Sequence, residues 1–522
     1  MTILESMPRP GPRHLTPVGV PRRRLLEHPR RLALVLGLLA IGLLHLVNLN
    51  GWPIFFDDEG TYVAQAWATY QGELAHYTYW YDHPPGGWLQ LAALMGIPQL
   101  LGVGPTVVVG RYVMIAYTLV AAALVYQLCR NLGLRHVTAM TGMLAWGLCP
   151  LVVYEGRQVM LDNLALPWVL GAFVLATARG RALWQHIAAG ACLGMAVLTK
   201  ETTVLLAPAL LFALWSHGYG PTRRFSLVGA GMVIGLVGGV YPLFALLKNE
   251  LTSGAGHVSL QDAISFQLVA RMGSGNVLDT NSPARGVIGS WLHYDHVLPI
   301  SGVVAGLACL FVRRLRPIGL ALVLMAVIAL RPNGYLPLMY IIGVLPFAAV
   351  ALAGISEPAL IRLGRLRVKS KPVGVAAVAV VLLAALAYVA PGWLQRNATA
   401  LTADSNDPYY AAVRYMDANL GRDTRILVDD AYWNTLVDHG WRSDGWNGPI
   451  WYFKLDLDPL ARAANLENGW RDVDYIVVND VMAANINGAT LLSGMKAAYE
   501  HSSVVQQWGS GPEQVQLRKI MP

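Results

Sequence analysis

The chain has 522 residues, of which 55% are hydrophobic and only 13% are charged, and its mean hydropathy is +0.44. Soluble globular proteins carry about 25% charged residues, so this composition excludes an ordinary soluble domain and indicates a membrane protein with many spans. The formal net charge of +8 does not indicate nucleic-acid binding, because the basic residues occur in short runs between apolar segments.

Eleven apolar segments near the length of a membrane-spanning helix follow one another along the chain. They lie near residues 32–49, 108–129, 136–153, 162–178, 186–199, 202–216, 226–247, 296–312, 317–330, 334–356 and 373–393. The shorter segments are poorly bounded, so ten to twelve spans are expected. The sequence therefore predicts a polytopic α-helical membrane domain over residues 32–393.

Basic residues fall on alternate connections between these segments, which indicates the cytoplasmic side of the membrane. The connections contain Arg22 to Arg24, Arg130 with Arg135, Arg179 with Arg181, Arg223 with Arg224, Arg313 with Arg314 and Arg316, and the run from Arg362 to Lys371. We therefore expect residues 1–31 to be cytoplasmic and the loops 52–106 and 248–295 to be external. The first of these loops is rich in Trp and Tyr, so residues 62–72 and 88–101 are expected to form helices along the membrane surface.

The apolar segments stop near residue 393, and residues 394–522 have the pattern of a small extracytoplasmic α/β domain. Helices are predicted at 407–420 and 491–500, and strands at 425–428, 475–478, 503–508 and 514–519. The sequence of this domain has no glycine-rich phosphate loop, so nucleotide binding is not predicted.

Three consecutive acids, Asp57, Asp58 and Glu59, follow the first apolar segment. A carboxylate near hydrocarbon is costly unless it has a cationic partner, a water-filled cavity or a chemical task. A solvated loop at the membrane edge is the alternative interpretation.

Further charged residues lie on the same predicted external face, where the positive-inside rule disfavours cations. Arg157 and Lys200 each lie in a short connection, with Asp162 and Glu201 nearby, and Arg331 follows a later segment. These cations either pair with lipid phosphate or with neighbouring acids, or they belong to a site.

Together, such acids and cations meet the needs of one reaction class. Arg and Lys bind phosphate, and a carboxylate accepts the proton of a hydroxyl. Glycosyl transfer from a lipid-linked phosphosugar requires both, and its phosphate leaving group needs no general acid.

Short motifs then carry a resemblance to a known family. Asp58-Glu59 followed by Tyr62 resembles the D-E-x-x-Y start of the first external loop in the protein O-mannosyltransferase family, whose relatives include the lipid A aminoarabinose transferases. The run Asp82-His83-Pro84-Pro85-Gly86 is similar to the His-Pro-Pro that closes this loop. The other matching positions are Arg157 with Asp162, and Leu198-Thr199-Lys200. The resemblance covers about residues 32–355, and the tail is similar to the C-terminal domain of bacterial members.

The resemblance implies the glycosyltransferase C superfamily fold and an inverting enzyme with a polyprenyl-phosphate sugar donor. It makes Asp58 the general base, with Glu59 shaping the acceptor site or supporting Asp58. It makes Arg157 and Lys200 the residues that hold the donor phosphate. Asp57 is additional to the D-E pair of the family, which leaves open which aspartate faces the acceptor.

Other polar residues are candidate substrate contacts: Asp57, Tyr62, His83, Asp162, Glu201, Arg271 and Arg331. His83 either orients its loop or contacts the sugar, or is a polar residue before a rigid Pro-Pro turn. The 248–295 loop has the composition of a mobile lid. At its end, His293, Asp295 and His296 have a spacing that could ligate a metal, but histidines before a span are common. No metal site is predicted, and a divalent cation is left open.

Two functions of other classes compete with this interpretation. A transporter or flippase would hold its charges near the bilayer midplane and show related halves. A noncatalytic lipid-binding protein of cell-wall assembly would act through its tail. For the enzyme, the expected partners are membrane lipid, the lipid-linked donor and a protein, glycolipid or polysaccharide acceptor, without nucleic acid. Arginine greatly outnumbers lysine, and Ala, Gly and Leu dominate the helices, which indicates a GC-rich bacterial source such as an actinomycete. The expected location is then the plasma membrane, with the active site on the outer side and a polyprenyl carrier. The sequence does not identify the sugar, whether hexosyl or pentosyl, or the acceptor.

Overall fold

A computed structural model describes residues 27–72, 81, 83–254, 259–271, 273–331, 334–368, 371–442, 446–458, 465–488 and 491–521. The helices up to the end of the membrane domain are α1 Glu27–Leu46, α2 Asp57–Tyr70, α3 Gly86–Gln99, α4 Val107–Asn131, α5 His136–Gly147, α6 Pro150–Arg157, α7 Leu161–Ala176, α8 Leu183–Thr199, α9 Ala207–His217, α10 Arg223–Gly238, α11 Val240–Leu247, α12 Leu260–Ser265, α13 Pro283–Tyr294, α14 Val297–Cys309, α15 Arg316–Ala329, α16 Ile341–Gly364 and α17 Gly374–Thr402. A 3₁₀ helix at Glu201–Leu206 follows α8, a π-helix at Phe266–Ala270 follows α12, and the two-residue strands β1 Arg367–Val368 and β2 Lys371–Pro372 pair with each other. The predicted motif residue Asp82 and the arginines at 22–24 lie outside the described residues.

Within the described residues, five helical stretches are long and apolar enough to cross a membrane. They are Pro29–Leu46, Val107–Asn131, Gly220–Leu247, Leu338–Gly364 and Gly374–Asn419. The pair α5 and α6, bent by 59°, can form a sixth, and α7, α8, α14 and α15 are shorter apolar helices. Each of the eleven predicted segments coincides with one or two helices. The prediction of a polytopic helical membrane protein is confirmed, and the number of spans stays a prediction.

Small residues allow the membrane helices to approach closely, as expected where lipid supplies no hydrophobic force between helices. Gly190 of α8 lies against α10, where an added Cβ would come within 2.5 Å of the Ala230 carbonyl oxygen. Gly142 of α5 faces α16, where an added Cβ would lie 3.2 Å from the Ala353 Cβ. Larger side chains at these positions would push the helices apart.

The C-terminal domain is an α/β unit. Its elements are α18 Asp407–Asn419, β3 Ile426–Val428, α19 Asp430–Asp438, β4 Pro449–Trp451, α20 Lys454–Leu457, β5 Tyr475–Asn479, α21 Asp480–Gly488, α22 Ser493–Glu500, β6 Ser502–Trp508 and β7 Val515–Ile520. The five strands form one sheet in the order β4-β3-β5-β7-β6, in which β3 is parallel to β4 and β5 while β7 is antiparallel to its two neighbours. All three residues of β3 are buried, as expected for a strand covered on both faces.

The sequence predicted most of these elements within two residues. It missed the helices α19, α20 and α21, and also β4, which has three residues and begins at a proline, a residue that is depleted in strands. The predicted domain boundary near residue 393 falls inside α17, which continues to Thr402. The helices expected at 62–72 and 88–101 are present as α2 and α3 and begin earlier.

The C-terminal domain lies on the loop 52–106. At Gly60 in α2 the two parts touch, and an added Cβ would be 2.2 Å from the backbone of Asp430 and Ala431. Asn434 donates a 2.7 Å hydrogen bond to the Gly60 carbonyl, and Thr61 donates one of 2.7 Å to the Asp430 carboxylate. The N-terminal end of α2, which carries the acid cluster, is therefore enclosed between the two domains.

Candidate active site

Asp57 connects α2, in the loop 52–106, to the C-terminal domain. Its Oδ1 accepts hydrogen bonds from the backbone N–H of Asp430, at 2.9 Å, and from the indole N–H of Trp451, at 3.1 Å. Burial, together with the carboxylates of Asp430 and Asp429, raises the pKa of Asp57 well above its ordinary value. Its carboxylate is therefore engaged in joining two domains.

Glu59 points into the membrane domain and is fully enclosed. It forms a two-point ion pair with Arg111 of α4, with Nη2–Oε1 at 2.6 Å and Nε–Oε2 at 2.9 Å. Its Oε2 also accepts the backbone N–H of Val159 at 2.9 Å. This placement gives Glu59 no route to an acceptor, and it ties α2 to α4 and to the connection between α6 and α7.

Asp58 lies between these two acids and faces a cavity of about 410 Å³. In the described part of the chain, no hydrogen-bond donor reaches its carboxylate. The volume suits a small-molecule site, for which about 300–1,000 Å³ is usual. The cavity is lined by Asp57, Asp58, Thr61, Tyr62 and Gln65 from α2, by His83 and Trp88, by Asp262, Ala263, Phe266, Gln267 and Arg271 from the 248–295 loop, and by Trp451, Phe453, Leu457 and Leu491 from the C-terminal domain.

Lys200 reaches this cavity through His83. The Lys200 Nζ lies 3.1 Å from Nε2 of His83, and Nδ1 of His83 lies 3.1 Å from Oε2 of Glu201. The Lys200 Nζ also lies 4.0 Å from Oε1 of Glu201. The structure thus brings together three residues that the sequence singled out, at the junction of α8 and the 3₁₀ helix that follows it.

The electrostatic environment of Asp58 suits a group that exchanges protons. Burial raises the pKa of Asp58 above its ordinary value, and the positive charges of Lys200 and Arg271 oppose this rise. A carboxyl pKa raised toward neutrality is favourable for a general base, because it matches the proton affinity of the base more closely to that of its substrate.

Arg271 provides a cation on the side of the cavity formed by the 248–295 loop. Its guanidinium lies 3.5 Å from the ring centroid of Tyr335 and donates a 2.6 Å hydrogen bond to Oε1 of Gln267. Stacking holds the guanidinium plane in place, which favours recognition of a flat or tetrahedral anion.

Arg157 is placed differently from the sequence expectation. Its side chain is buried, and its Nη atoms donate to the backbone carbonyls of Trp52, Ala400 and Leu44 at 3.3, 3.0 and 2.6 Å. It does not line the Asp58 cavity. These contacts tie α6 to the start of the loop 52–106 and to the end of α17, so this placement gives no support to the predicted phosphate contact.

The remaining predicted residues divide between the cavity and its surroundings. Tyr62 lines the cavity, with its ring centroid 6.1 Å from that of His83. Asp162 lines a separate cavity of about 30 Å³ beside Thr203. Arg331 is exposed at the end of α15 and is not part of either lining.

The histidines at the end of the 248–295 loop are not arranged around a metal. Asp295 accepts hydrogen bonds from the backbone of Leu298 and from the Trp393 indole, and His296 contacts the Tyr388 hydroxyl. No group of three or more His, Cys, Asp and Glu side chains suited to a metal occurs among the residues that the structure describes. The divalent cation left open by the sequence therefore has no assembled ligand set there.

Sequence reasoning missed two contributions to this site. Arg111 was included in an apolar segment, although a lone arginine in a membrane span signals an internal partner. The C-terminal domain contributes Trp451 and Phe453 to the cavity wall. Their proximity to α2 comes from the domain contact, for which the sequence carries no local signal.

The arrangement of the membrane helices, the loop 52–106 and the C-terminal domain is that of the glycosyltransferase C fold. ArnT from Cupriavidus metallidurans, solved with undecaprenyl phosphate, matches with a TM-score of 0.58 and 14% identity, over 93% of this chain and 97% of that one. The oligosaccharyltransferase AglB from Archaeoglobus fulgidus, solved with an inhibitory peptide and a dolichol-phosphate, matches with a TM-score of 0.55 and 13% identity, over 94% of this chain and 74% of that one.

The family model for dolichyl-phosphate-mannose-protein mannosyltransferases matches residues 82–242. Comparison with curated proteins gave no significant match. The resemblance seen in the sequence is confirmed over these residues, and the glycosyltransferase C fold of a multi-pass membrane protein is confirmed by the solved structures.

Proposed function

We propose that this protein transfers a sugar from a polyprenyl-phosphate carrier to an acceptor hydroxyl, with inversion at the anomeric carbon. One observation carries the proposal: the Asp58 carboxylate faces a cavity and is close enough to Lys200 and Arg271 for their charges to act on it. Asp57, which also lines this cavity, is bonded to the C-terminal domain, and Glu59 is paired with Arg111. A base and cations around one cavity meet both requirements of this reaction. Relatives of this fold solved with undecaprenyl phosphate and dolichol-phosphate support the choice of carrier.

In the proposed reaction, Asp58 accepts the proton of the acceptor hydroxyl as its oxygen attacks the anomeric carbon. The bond from that carbon to the phosphate oxygen breaks, and its electron pair leaves with the lipid phosphate. Lys200 and Arg271 stabilise the charge that develops there. Because the phosphate leaves as a stable anion, no general acid is needed.

His83 and Glu201 act through Lys200 in this scheme. The chain of contacts from Glu201 to His83 and Lys200 fixes the ammonium at the edge of the cavity. A Lys side chain has many rotamers, so restraining it in advance reduces the entropy lost when phosphate binds.

The finer features of the reaction are also proposals. The donor carries a hexose or a pentose, and the acceptor is a protein, a glycolipid or a polysaccharide. The distribution of arginines supports a cytoplasmic N-terminus, with the Asp58 cavity and the C-terminal domain on the extracytoplasmic side of a bacterial plasma membrane.

A transfer assay tests the proposal. The full chain, reconstituted in bilayers, is incubated with polyprenyl-phosphate hexoses and pentoses, each supplied with a membrane extract as acceptor source. Release of polyprenyl phosphate coupled to labelling of an acceptor is the expected result for one donor, and Asp58→Asn should lose it. Equal release by Asp58→Asn would contradict the proposal.

A further inference from the structure

A second large cavity lies at the opposite end of the helix bundle from Asp58. It has a volume of about 800 Å³ and is bordered by the ends of α1, α4, α5, α16 and α17. Arg111, which holds the acid motif, and Arg130, which lines this second cavity, are both on α4 and are roughly 29 Å apart at 1.5 Å per residue. That separation is about the thickness of the hydrocarbon core, so the second cavity lies at the other face of the membrane.

Four arginines line this cavity: Arg30, Arg130, Arg135 and Arg365. Within the described residues, none of the four guanidinium groups has a carboxylate within 4.0 Å. Glu357 is the one acid in the lining, and its Oε2 accepts the backbone N–H of Arg135 at 2.8 Å. The cavity therefore has a surplus of positive charge that the surrounding described side chains do not neutralise.

Apart from His136 and Thr138, the rest of the lining is apolar. Leu360 and Ile361 of α16 face Val375 and Val378 of α17, and Val137 contributes from α5. Val137 and Val375 are about three-quarters exposed, although both lie at the ends of membrane helices. The combination of cations and exposed apolar side chains at one membrane face fits an amphiphile with an anionic head and apolar chains.

We propose that this cavity binds the phosphate headgroup of an anionic membrane phospholipid. Basic pockets between membrane helices are suited to such headgroups, because the guanidinium groups meet the phosphate while the apolar walls meet the acyl chains. The site is separate from the Asp58 cavity, and the proposal stands whether or not the glycosyl transfer is correct. Free phosphate is the other source of the same chemistry, and the experiment distinguishes the two.

The test measures thermal unfolding of the full chain by tryptophan fluorescence in detergent micelles. The probes are dioleoyl-phosphatidylglycerol, dioleoyl-phosphatidylcholine and, as a soluble phosphate, sn-glycerol 1-phosphate. Phosphatidylglycerol should raise the unfolding temperature in a saturable way, and the other two should not. The same shift with sn-glycerol 1-phosphate at equal concentration would overturn the lipid assignment in favour of a soluble phosphate.

Paired variants test the location. Arg30 and Arg365 are exposed, so the double variant Arg30→Gln, Arg365→Gln should fold, and Arg181→Gln, Arg224→Gln removes the same charge from exposed positions outside the cavity. Each cavity arginine is expected to contribute about fivefold to affinity, the factor that corresponds to ~1 kcal/mol per basic residue, so the cavity pair should weaken binding about 25-fold. Equal weakening by both pairs would overturn the site.

A variant that removes a negative charge from the cavity, instead of a positive one, completes the design. Glu357→Gln keeps an oxygen for the Arg135 N–H and removes the negative charge from the lining, so it should tighten phosphatidylglycerol binding. Weaker binding by this variant would contradict the electrostatic basis of the proposal.

Discussion

Glu59 and Arg111 form an ion pair in which neither side chain is exposed, with Nη2 of Arg111 2.6 Å from Oε1 of Glu59. The pair sets the direction of its neighbours, because consecutive residues of a helix point roughly 100° apart. With Glu59 held in the membrane domain and Asp57 bound to the C-terminal domain, Asp58 faces the cavity between them.

Arg111→Met should destabilise the protein strongly. Removing one partner of a buried ion pair leaves an uncompensated charge, which costs about 3–5 kcal/mol. The matched control is Arg422→Met, which breaks the partly exposed pair with Asp417 and should cost no more than ~1 kcal/mol. Thermal unfolding of the two purified variants provides the comparison, and an equal loss in both would show that the Glu59 pair is not structurally important.

Asp58→Asn should abolish turnover while donor binding persists. The amide keeps the shape and removes the basicity, and loss of a general base reduces the rate by a factor of roughly 10² to 10⁴. Asp57→Asn is the control, since an amide oxygen can still accept from Asp430 and Trp451. Single-turnover rates and donor affinities should be measured for both variants. If Asp57→Asn lost most of the rate and Asp58→Asn kept it, Asp57 would be the base.

The acid limb of the kcat/KM–pH profile should lie at a higher pH than the pKa of an ordinary aspartate. Asp58 acts when deprotonated, so kcat/KM should fall as the pH drops through its raised pKa. Lys200 opposes the rise in this pKa, and Lys200→Met should therefore move the acid limb to higher pH. The position of the limb, rather than the absolute rate, is the measurement, because Lys200 also belongs to the proposed phosphate site. A limb that moves to lower pH would contradict the electrostatic coupling.

Substitutions of Arg157 and of Lys200 should have different effects on donor binding. Lys200→Met should weaken binding of the polyprenyl-phosphate sugar by at least tenfold, since it removes a cation at the cavity edge. Arg157→Met should lower the unfolding temperature and leave donor affinity within about twofold, because its guanidinium is bonded to backbone carbonyls. Loss of affinity in a folded Arg157→Met variant would restore the phosphate role predicted from the sequence.

Gly60→Ala should separate the C-terminal domain from α2. The new methyl group would lie 2.2 Å from the Asp430 backbone, and overpacking of this kind costs about 1–3 kcal/mol. Gly286→Ala is the control, because α13 leaves open space at that position. Hydrogen exchange of α19 should accelerate in the first variant alone, and unchanged exchange there would mean that the contact between the domains adapts.

The sequence predicted the elements whose signal is local. Apolar segments gave the membrane helices, and the acid motif, His83 and Lys200 were assigned to one face, as the structure has them. The different contacts of Asp57, Asp58 and Glu59 were not predictable. They depend on Arg111 and Trp451, which are distant from the acids in sequence. Arg157 was assigned to the phosphate because it violates the positive-inside rule, yet backbone carbonyls surround its guanidinium. That rule counts charges on loops and carries no information about what a buried guanidinium contacts.

The hydrogen bond between Trp451 and Asp57 joins residues 394 positions apart in the chain. During synthesis, the acid motif emerges early and the wall that faces it emerges near the end. A nascent or truncated chain that stops before β4 consequently has an open, wet Asp58, without the indole and phenyl rings that close the cavity. Under the proposed function, inserted intermediates should therefore be inactive, because the cavity around Asp58 is complete only once the C-terminal domain has folded onto α2.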